Sequence, residues 1–107
     1  MDEKLFNTIP NTAGINNIEY HPKYSAICSI GKTAFHGEME IYYRPLNQLL
    51  EFESFEKWLK TLSTQSLTIE ELTRIVYDEL ERTLKPGNLH VTIHAETVVH
   101  GKVSVQI

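Results

Sequence analysis

Residues 36–44 read HGEMEIYYR, and polar and apolar side chains alternate along them. The residues on the apolar side are Gly37, Met39, Ile41 and Tyr43, and those on the polar side are His36, Glu38, Glu40, Tyr42 and Arg44. A period of two is typical of a β-strand with one buried face. The preceding residues 18–30 are rich in aromatic and β-branched side chains, interrupted by Pro22, and we expect them to pair with this strand.

Two amphipathic helices are predicted after this strand. In the first, apolar residues recur with helical spacing, and Ser54 stands where a side-chain oxygen would cap the first turn. The second helix opens at Thr68, which forms a capping box with Glu71, and it stops at Pro86 and Gly87. The apolar stripes are Phe55, Trp58, Leu59 and Leu62 in the first helix, and Ile69, Leu72, Ile75, Val76, Leu80 and Leu84 in the second.

Two further alternating runs predict a C-terminal hairpin that turns near residues 96–98. The apolar faces are Leu89, Val91, Ile93 and Ala95 in the first run, and Val99, Val103, Val105 and Ile107 in the second.

The predicted element order is β-β-α-α-β-β, which indicates an α+β fold in which an antiparallel sheet carries two helices on one face. Residues 1–17 are expected to form an irregular arm with at most a short extended piece, and residues 18–107 a single domain. The opposite sheet face is polar and needs water or a partner subunit. A homo-oligomer is therefore expected.

Composition and charge exclude several classes of protein. The formal net charge is −4 and no two basic residues are adjacent, which disfavours nucleic-acid binding. The single cysteine cannot form an internal disulfide, no apolar run is long enough to span a bilayer, and the first ten residues do not resemble a signal peptide. We therefore expect a cytoplasmic protein without a membrane partner.

The histidines do not predict a metal site. His90 and His94 are four residues apart on a predicted strand, which separates them by roughly 13 Å. No Cys or His pair has the spacing of a known metal site. Solvated histidines on the polar face are the favoured interpretation.

Two side chains carry a chemical hypothesis beside a structural one. Cys28 is either a small buried apolar residue or, near Lys32 at a strand end, an exposed thiol that acts as a nucleophile. Glu70 either interacts with the dipole of its helix or accepts two hydrogen bonds from a guanine-like edge. For Glu51, which precedes the first helix, the structural interpretation is again an interaction with the helix dipole. The residues alone leave both alternatives open.

These residues, with the element order, resemble the tunnelling-fold superfamily and, within it, the NADPH-dependent 7-cyano-7-deazaguanine reductases of queuosine biosynthesis. Residues 22–28, PKYSAIC, are similar to the family stretch Pro-Glu-Phe-Thr-Ser-Leu-Cys. Counting on from Cys28 without a gap, Glu51 and Ser54 match the Glu and second Ser of a Glu-Ser-Lys-Ser motif. In the same register Glu70 matches the Glu of Phe-His-Glu, and the resemblance covers about residues 18–107.

The resemblance implies specific roles. The family cysteine, here Cys28, adds to a nitrile to give a thioimide that NADPH reduces, and the family glutamate, here Glu70, binds the deazaguanine edge. Glu51 and Ser54 would then belong to the substrate pocket, and the ligand site would lie between subunits whose sheets join into a barrel. Substrates with a purine-like or pterin-like ring are expected.

The sequence departs from the family at several positions, among them the Pro and Thr that follow the cysteine, which are Ser29 and Gly31 here. Three further departures concern the proposed chemistry. The aspartate that donates a proton is Phe35 here, the histidine before the glutamate is Ile69, and the lysine near the cofactor phosphates is Glu53. A one-residue bulge would bring His36 into the role of the acid.

Three functions are therefore compared. The first is a diverged deazaguanine reductase that reduces a nitrile with NADPH. The second is a base-binding protein that has lost catalysis, which the missing acid and lysine favour. The third, a relative of the pterin aldolases or cyclohydrolases, is disfavoured because no metal constellation or convincing acid and base pair is present.

Overall fold

The structure is a computed structural model that describes residues 4–107. Its strands are β1 (Thr8–Pro10), β2 (Ile18–Tyr20), β3 (Lys23–Ile27), β4 (Ala34–Arg44), β5 (Gln48–Leu50), β6 (Gly87–Thr97) and β7 (Gly101–Gln106). Its helices are α1 (Phe52–Thr61), a 3₁₀ turn (Leu62–Thr64) and α2 (Ile69–Leu84). The predicted α+β order is confirmed, except that the first predicted strand is divided into β2 and β3 and that two short strands, β1 and β5, are added.

The main sheet is antiparallel, with the strand order β2-β4-β6-β7, and β3 pairs with the remaining part of β4 beside β2. Strands β1 and β5 form a separate two-stranded sheet, so the arm that was predicted to be irregular is tied down by residues 8–10. Within residues 4–107, no helix has the length and apolar character needed to cross a membrane.

The buried face of the sheet is the one predicted from the alternation in β4. Met39, Ile41 and Tyr43 are buried, as is Phe35 at the beginning of the strand, while His36 is exposed. The predicted apolar face of β6 is buried as well. Helix α2 packs over β6 and α1 against β3, and buried residues of both helices form one core with this face of the sheet.

The start of α2 is confirmed and the start of α1 is corrected. The Thr68 hydroxyl accepts a hydrogen bond from the Glu71 backbone N–H, and the Glu71 carboxylate accepts one from the Thr68 N–H, each at 3.0 Å. In α1 the cap is Glu51, not Ser54, because the Glu51 carboxylate accepts the backbone N–H groups of Glu53 and Ser54. The helix therefore begins at Phe52.

The C-terminal hairpin turns slightly later than predicted. Strand β6 continues to Thr97, so the turn comprises residues 98–100. Val99, which was assigned to the apolar strand face, lies in this turn with 67% of its surface exposed. Gly101 has a φ of +73°, a conformation that favours glycine and closes the turn.

Candidate functional site

A cleft of about 510 Å³ lies where the loop after β3, the first turn of α2 and the β6–β7 hairpin meet. Cys28 and Glu70, two of the predicted site residues, both line it. A larger cleft of about 700 Å³, lined by β2, β3 and α1, contains none of the predicted site residues. The smaller cleft therefore brings together two of the predicted site residues, while His36 lines a separate cleft of about 520 Å³ and Glu51 a third one.

Cys28 lies at the neck of a closed loop. Its backbone N–H donates to the Thr33 carbonyl at 2.8 Å, and the Lys32 N–H donates to the Cys28 carbonyl at 2.9 Å. The loop contains one residue in the left-handed backbone conformation, Lys32, with a φ of 59°. The Cys28 thiol is free and half-buried against the core, while it also borders the cleft. This position is thus compatible both with a packing role for Cys28 and with a role as a nucleophile.

Backbone hydrogen bonds bring the start of α2 to Cys28. The Leu67 N–H donates to the Ile27 carbonyl at 2.8 Å. The Ile27 N–H donates to Gln65 and the Ser29 N–H to Leu67, both at 3.3 Å. Residues 65–67 therefore run parallel to the end of β3, directly before the cap of α2. This pairing places the first turn of the helix beside the cysteine loop.

Glu70 is the second helical residue of α2, after the Thr68 cap. Its side chain is exposed, and within residues 4–107 the structure shows no ion pair or hydrogen bond to its carboxylate. The helix dipole stabilises a carboxylate at this position regardless of function. The same position also leaves both oxygens available to a ligand in the cleft.

The remaining cleft surface is mostly apolar. Phe35 is 3% exposed and packs edge-on against Tyr24, with ring centroids 6.0 Å apart. Ile69, Val99 and Val103 line the cleft with it. Apolar surface with a few polar groups is what binding sites for flat organic ligands typically offer. Phe35 occupies the position at which the sequence resemblance implies an aspartate. The cleft therefore has an aromatic ring at this position and no acid.

His36 does not lie in this cleft. Strands β3 and β4 pair in continuous register from Lys23 opposite Glu38 to Ile27 opposite Ala34, so the bulge that was to redirect His36 is absent. Its imidazole lies on the polar face, with Nε2 3.8 Å from a Glu96 carboxylate oxygen. Within one chain, the His36 side chain is separated from Cys28 by the sheet.

Glu51 and Ser54 lie at the start of α1, outside the cleft of Cys28. Both carboxylate oxygens of Glu51 accept backbone N–H groups of the helix. The Ser54 hydroxyl donates to the Glu51 carbonyl at 3.0 Å and accepts the Asn7 N–H at 2.8 Å. Within one chain, these contacts give both residues a structural role and do not bring them to Cys28.

The expected NADPH phosphate site has the wrong charge. Glu53 occupies the position of the family lysine, is exposed in the first turn of α1, and lines a cleft of about 280 Å³ together with Glu51. Two carboxylates repel a phosphate. The residues present therefore do not fit the cofactor's phosphates.

The structure adds His100 to the residues predicted from the sequence. It lies in the β6–β7 turn and lines the same cleft as Cys28 and Glu70. No sequence motif marks it, since a side chain in a turn has no period that assigns it to a face.

The polar sheet face carries most of the other histidines. The His94 ring lies 3.2 Å from a Glu40 oxygen and 2.6 Å from the Ser104 hydroxyl. His21 contacts Glu19 at 2.8 Å and Glu38 at 3.1 Å, and these two carboxylates, Glu19 foremost, raise the pKa of His21. Across residues 4–107, no group of three or more His, Cys, Asp or Glu side chains is arranged to hold a metal ion.

Comparison with solved structures identifies the fold. The chain is similar to the crystal structure of the archaeosine synthase QueF-Like in the apo form, with a TM-score of 0.75 and 20% sequence identity. The match covers 85% of this chain and 92% of that chain. No protein-family model and no curated protein matches the sequence. The protein therefore has a tunnelling fold, the fold implied by its sequence resemblance.

Proposed function

We propose that this protein binds a flat guanine-like base that carries a nitrile, of the 7-cyano-7-deazaguanine type, and captures it covalently through Cys28. The observation that carries the proposal is the position of Cys28 and Glu70 in one cleft. The similarity in fold to an archaeosine synthase QueF-Like structure supports a role related to the queuosine and archaeosine pathways.

Glu70 is the group proposed to recognise the base. The ring N–H and exocyclic amine of a guanine-like edge form a pair of donors, and a carboxylate accepts both in a charge-assisted arrangement. The position at the N-terminus of α2 interacts favourably with a negative charge. Phe35, Ile69 and Val103 provide apolar surface against the faces of the ring.

Cys28 is the proposed nucleophile. As the thiolate, its sulfur bonds to the nitrile carbon while one π bond of the nitrile breaks. The electron pair moves to the nitrile nitrogen, which takes up a proton. The product is a thioimide that contains all atoms of the ligand and of the protein, and no oxidant or reductant is consumed.

The proposed reaction ends at the thioimide. A hydride from NADPH would be needed to continue towards the amine, and Glu53 replaces the cation expected near the cofactor phosphates. Reduction by NADPH is therefore the alternative that the experiment decides. Binding without covalent capture is favoured by the absence of an acid at Phe35 and of the lysine at Glu53.

A homo-oligomer is proposed as the working form. Apolar side chains beside the cleft are exposed in the single chain, with Ile30 83% and Val98 97% accessible. Strands β2 and β7 end the main sheet with unpaired edges among the described residues. A second copy of the chain would cover these groups, and light scattering after size-exclusion chromatography measures the number of subunits.

The experiment incubates the protein with 7-cyano-7-deazaguanine and measures its intact mass and melting temperature, with and without NADPH. The wild type is expected to gain the mass of one ligand per chain, and Cys28→Ala to gain none while its melting temperature still rises. NADPH is expected to remain unoxidised. Oxidation of NADPH coupled to loss of the nitrile would establish the reductase instead.

Glu70→Gln tests recognition separately. Replacing one carboxylate oxygen by an amide is expected to weaken binding roughly 10- to 100-fold, the loss of a charged hydrogen bond. Glu81→Gln is the matched control, since Glu81 is exposed on the same helix away from the cleft. Equal affinities of these two variants, or no ligand effect on the wild type, would refute the proposal.

A further inference from the structure

We infer that His100 is the acid that protonates the nitrile nitrogen when Cys28 adds to the ligand. The inference rests on the proposed function and deepens it by naming the missing proton donor. It would make His100 a catalytic residue in a place where neither Phe35 nor His36 can act.

The hairpin turn holds the His100 backbone at the cleft. Its N–H donates to the Thr97 hydroxyl at 2.7 Å, and Thr97 pairs with Gly101 across the neck of the turn. Thr97 and His100 both line the cleft. The turn is thus fixed to the sheet at its base while the imidazole remains exposed.

The composition of the cleft leaves one candidate for the acid. Among the residues that line it, titratable side chains belong to Cys28, Glu70 and His100. Cys28 forms the new bond, and Glu70 has to stay ionised to accept the donors of the base. The proton therefore comes from His100, the side-chain type whose charge changes near neutral pH.

The contacts of His100 differ from those of His21, His36 and His94. Among the described residues, His90 also shows no ring partner, but it lies outside the cleft. The rings of His21, His36 and His94 each approach a carboxylate on the polar face of the sheet. Among residues 4–107, the His100 ring has no such partner. No contact among the described residues therefore uses the ring N–H of His100, which can donate to a ligand.

Few titratable groups share the cleft with His100. They are Glu70, from the first turn of α2, and Cys28, from the loop after β3. On its own hairpin, Glu96 and Lys102 lie 3.7 Å apart and line a separate cleft on the polar face of the sheet. The titratable groups that line the cleft beside His100 are thus the two with which it would act.

The proposed step balances within the cleft. The Cys28 sulfur bonds to the nitrile carbon, a carbon–nitrogen π pair moves to nitrogen, and that nitrogen takes the proton from the His100 imidazolium. The imidazole is left neutral. Solvent restores its proton after the adduct has formed.

The test measures the rate of adduct formation with 7-cyano-7-deazaguanine between about pH 5 and pH 9 for the wild type and His100→Gln. The wild-type rate is expected to pass through a maximum and to fall at high pH. His100→Gln is expected to be roughly 100-fold slower, with a rate that rises with pH to a plateau. Addition of imidazole to His100→Gly is expected to restore part of the rate.

His90→Gln is the matched control. His90 is an exposed histidine on the neighbouring strand, outside the cleft, and its replacement is expected to leave the rate and the pH profile unchanged. Adduct formation by His100→Gln at the wild-type rate and with the wild-type profile would overturn the role of His100 while leaving the proposed function intact. Absence of any adduct in the wild type would overturn both.

Discussion

Substitution of Gly37 by alanine is expected to separate the two central strands of the sheet. A Cβ atom at Gly37 would lie 1.9 Å from the His94 carbonyl oxygen and 2.8 Å from its carbon, whereas real Cβ contacts stay beyond 3.0 Å. The oxygen cannot turn away freely because it accepts a hydrogen bond from the Tyr24 hydroxyl at 2.9 Å. Strands β4 and β6 must therefore move apart by more than about 1 Å.

The magnitude follows from overpacking and weakened strand pairing. Inserting a methyl group into packed structure costs about 1–3 kcal/mol, and each hydrogen bond that is lost adds about 1 kcal/mol. We expect Gly37→Ala to lower the free energy of unfolding by roughly 3 kcal/mol, equivalent to about 12–20 °C in melting temperature. Phe35 and Ala95 lie on the same two strands and line the cleft, so ligand binding is expected to weaken as well.

Denaturant unfolding followed by circular dichroism measures this change. Gly31→Ala is the matched control, because a Cβ there meets only the Thr33 hydroxyl at 3.5 Å and its φ is not positive. The control is expected to change stability by less than about 1 kcal/mol. A Gly37→Ala protein within 1 kcal/mol of the wild type, or no less stable than the control, would refute the strand geometry around His94.

Thr68→Ala removes one half of the capping box of α2 and should cost about 1 kcal/mol of stability in a urea titration, with no loss meaning that the cap is unimportant. Glu51→Ala should cost a similar amount, roughly 1 kcal/mol, because two N–H groups of α1 lose their acceptor. In an NMR titration the pKa of the His21 ring should exceed 6.5, and Glu19→Gln should lower it. Since this pKa is raised in the folded state, its stabilising contribution is complete below pH 6.5 and disappears as the pH rises through the raised value.

The sequence predicts the parts of the fold that follow from periodicity and local capping. The alternation in residues 36–44 assigns Met39 and Ile41 to the core, and Thr68 with Glu71 predicts the start of α2. Both signals are local, so a single strand or helix turn contains all the information that they need.

Features that depend on tertiary contacts are not predictable in this way. Glu51 replaces Ser54 as the cap of α1, although glutamate is not among the residues preferred at that position. The pairing of β1 with β5 joins segments of three residues each, which are too short to show a period.

The residues of the candidate site likewise differ in whether the sequence alone predicts them. The sequence resemblance selects Cys28 and Glu70, but their position in one cleft depends on the hydrogen bonds of residues 65–67 with the end of β3. His100 enters the cleft through the geometry of the β6–β7 turn, which no motif encodes.

A crystal structure of the protein soaked with 7-cyano-7-deazaguanine tests the central claim most directly. We predict continuous density from the Cys28 sulfur to the former nitrile carbon, with the Glu70 carboxylate within hydrogen-bonding distance of the ring N–H and the amine. A ligand bound elsewhere, or bound in this cleft with its amine edge turned away from Glu70, would contradict the account.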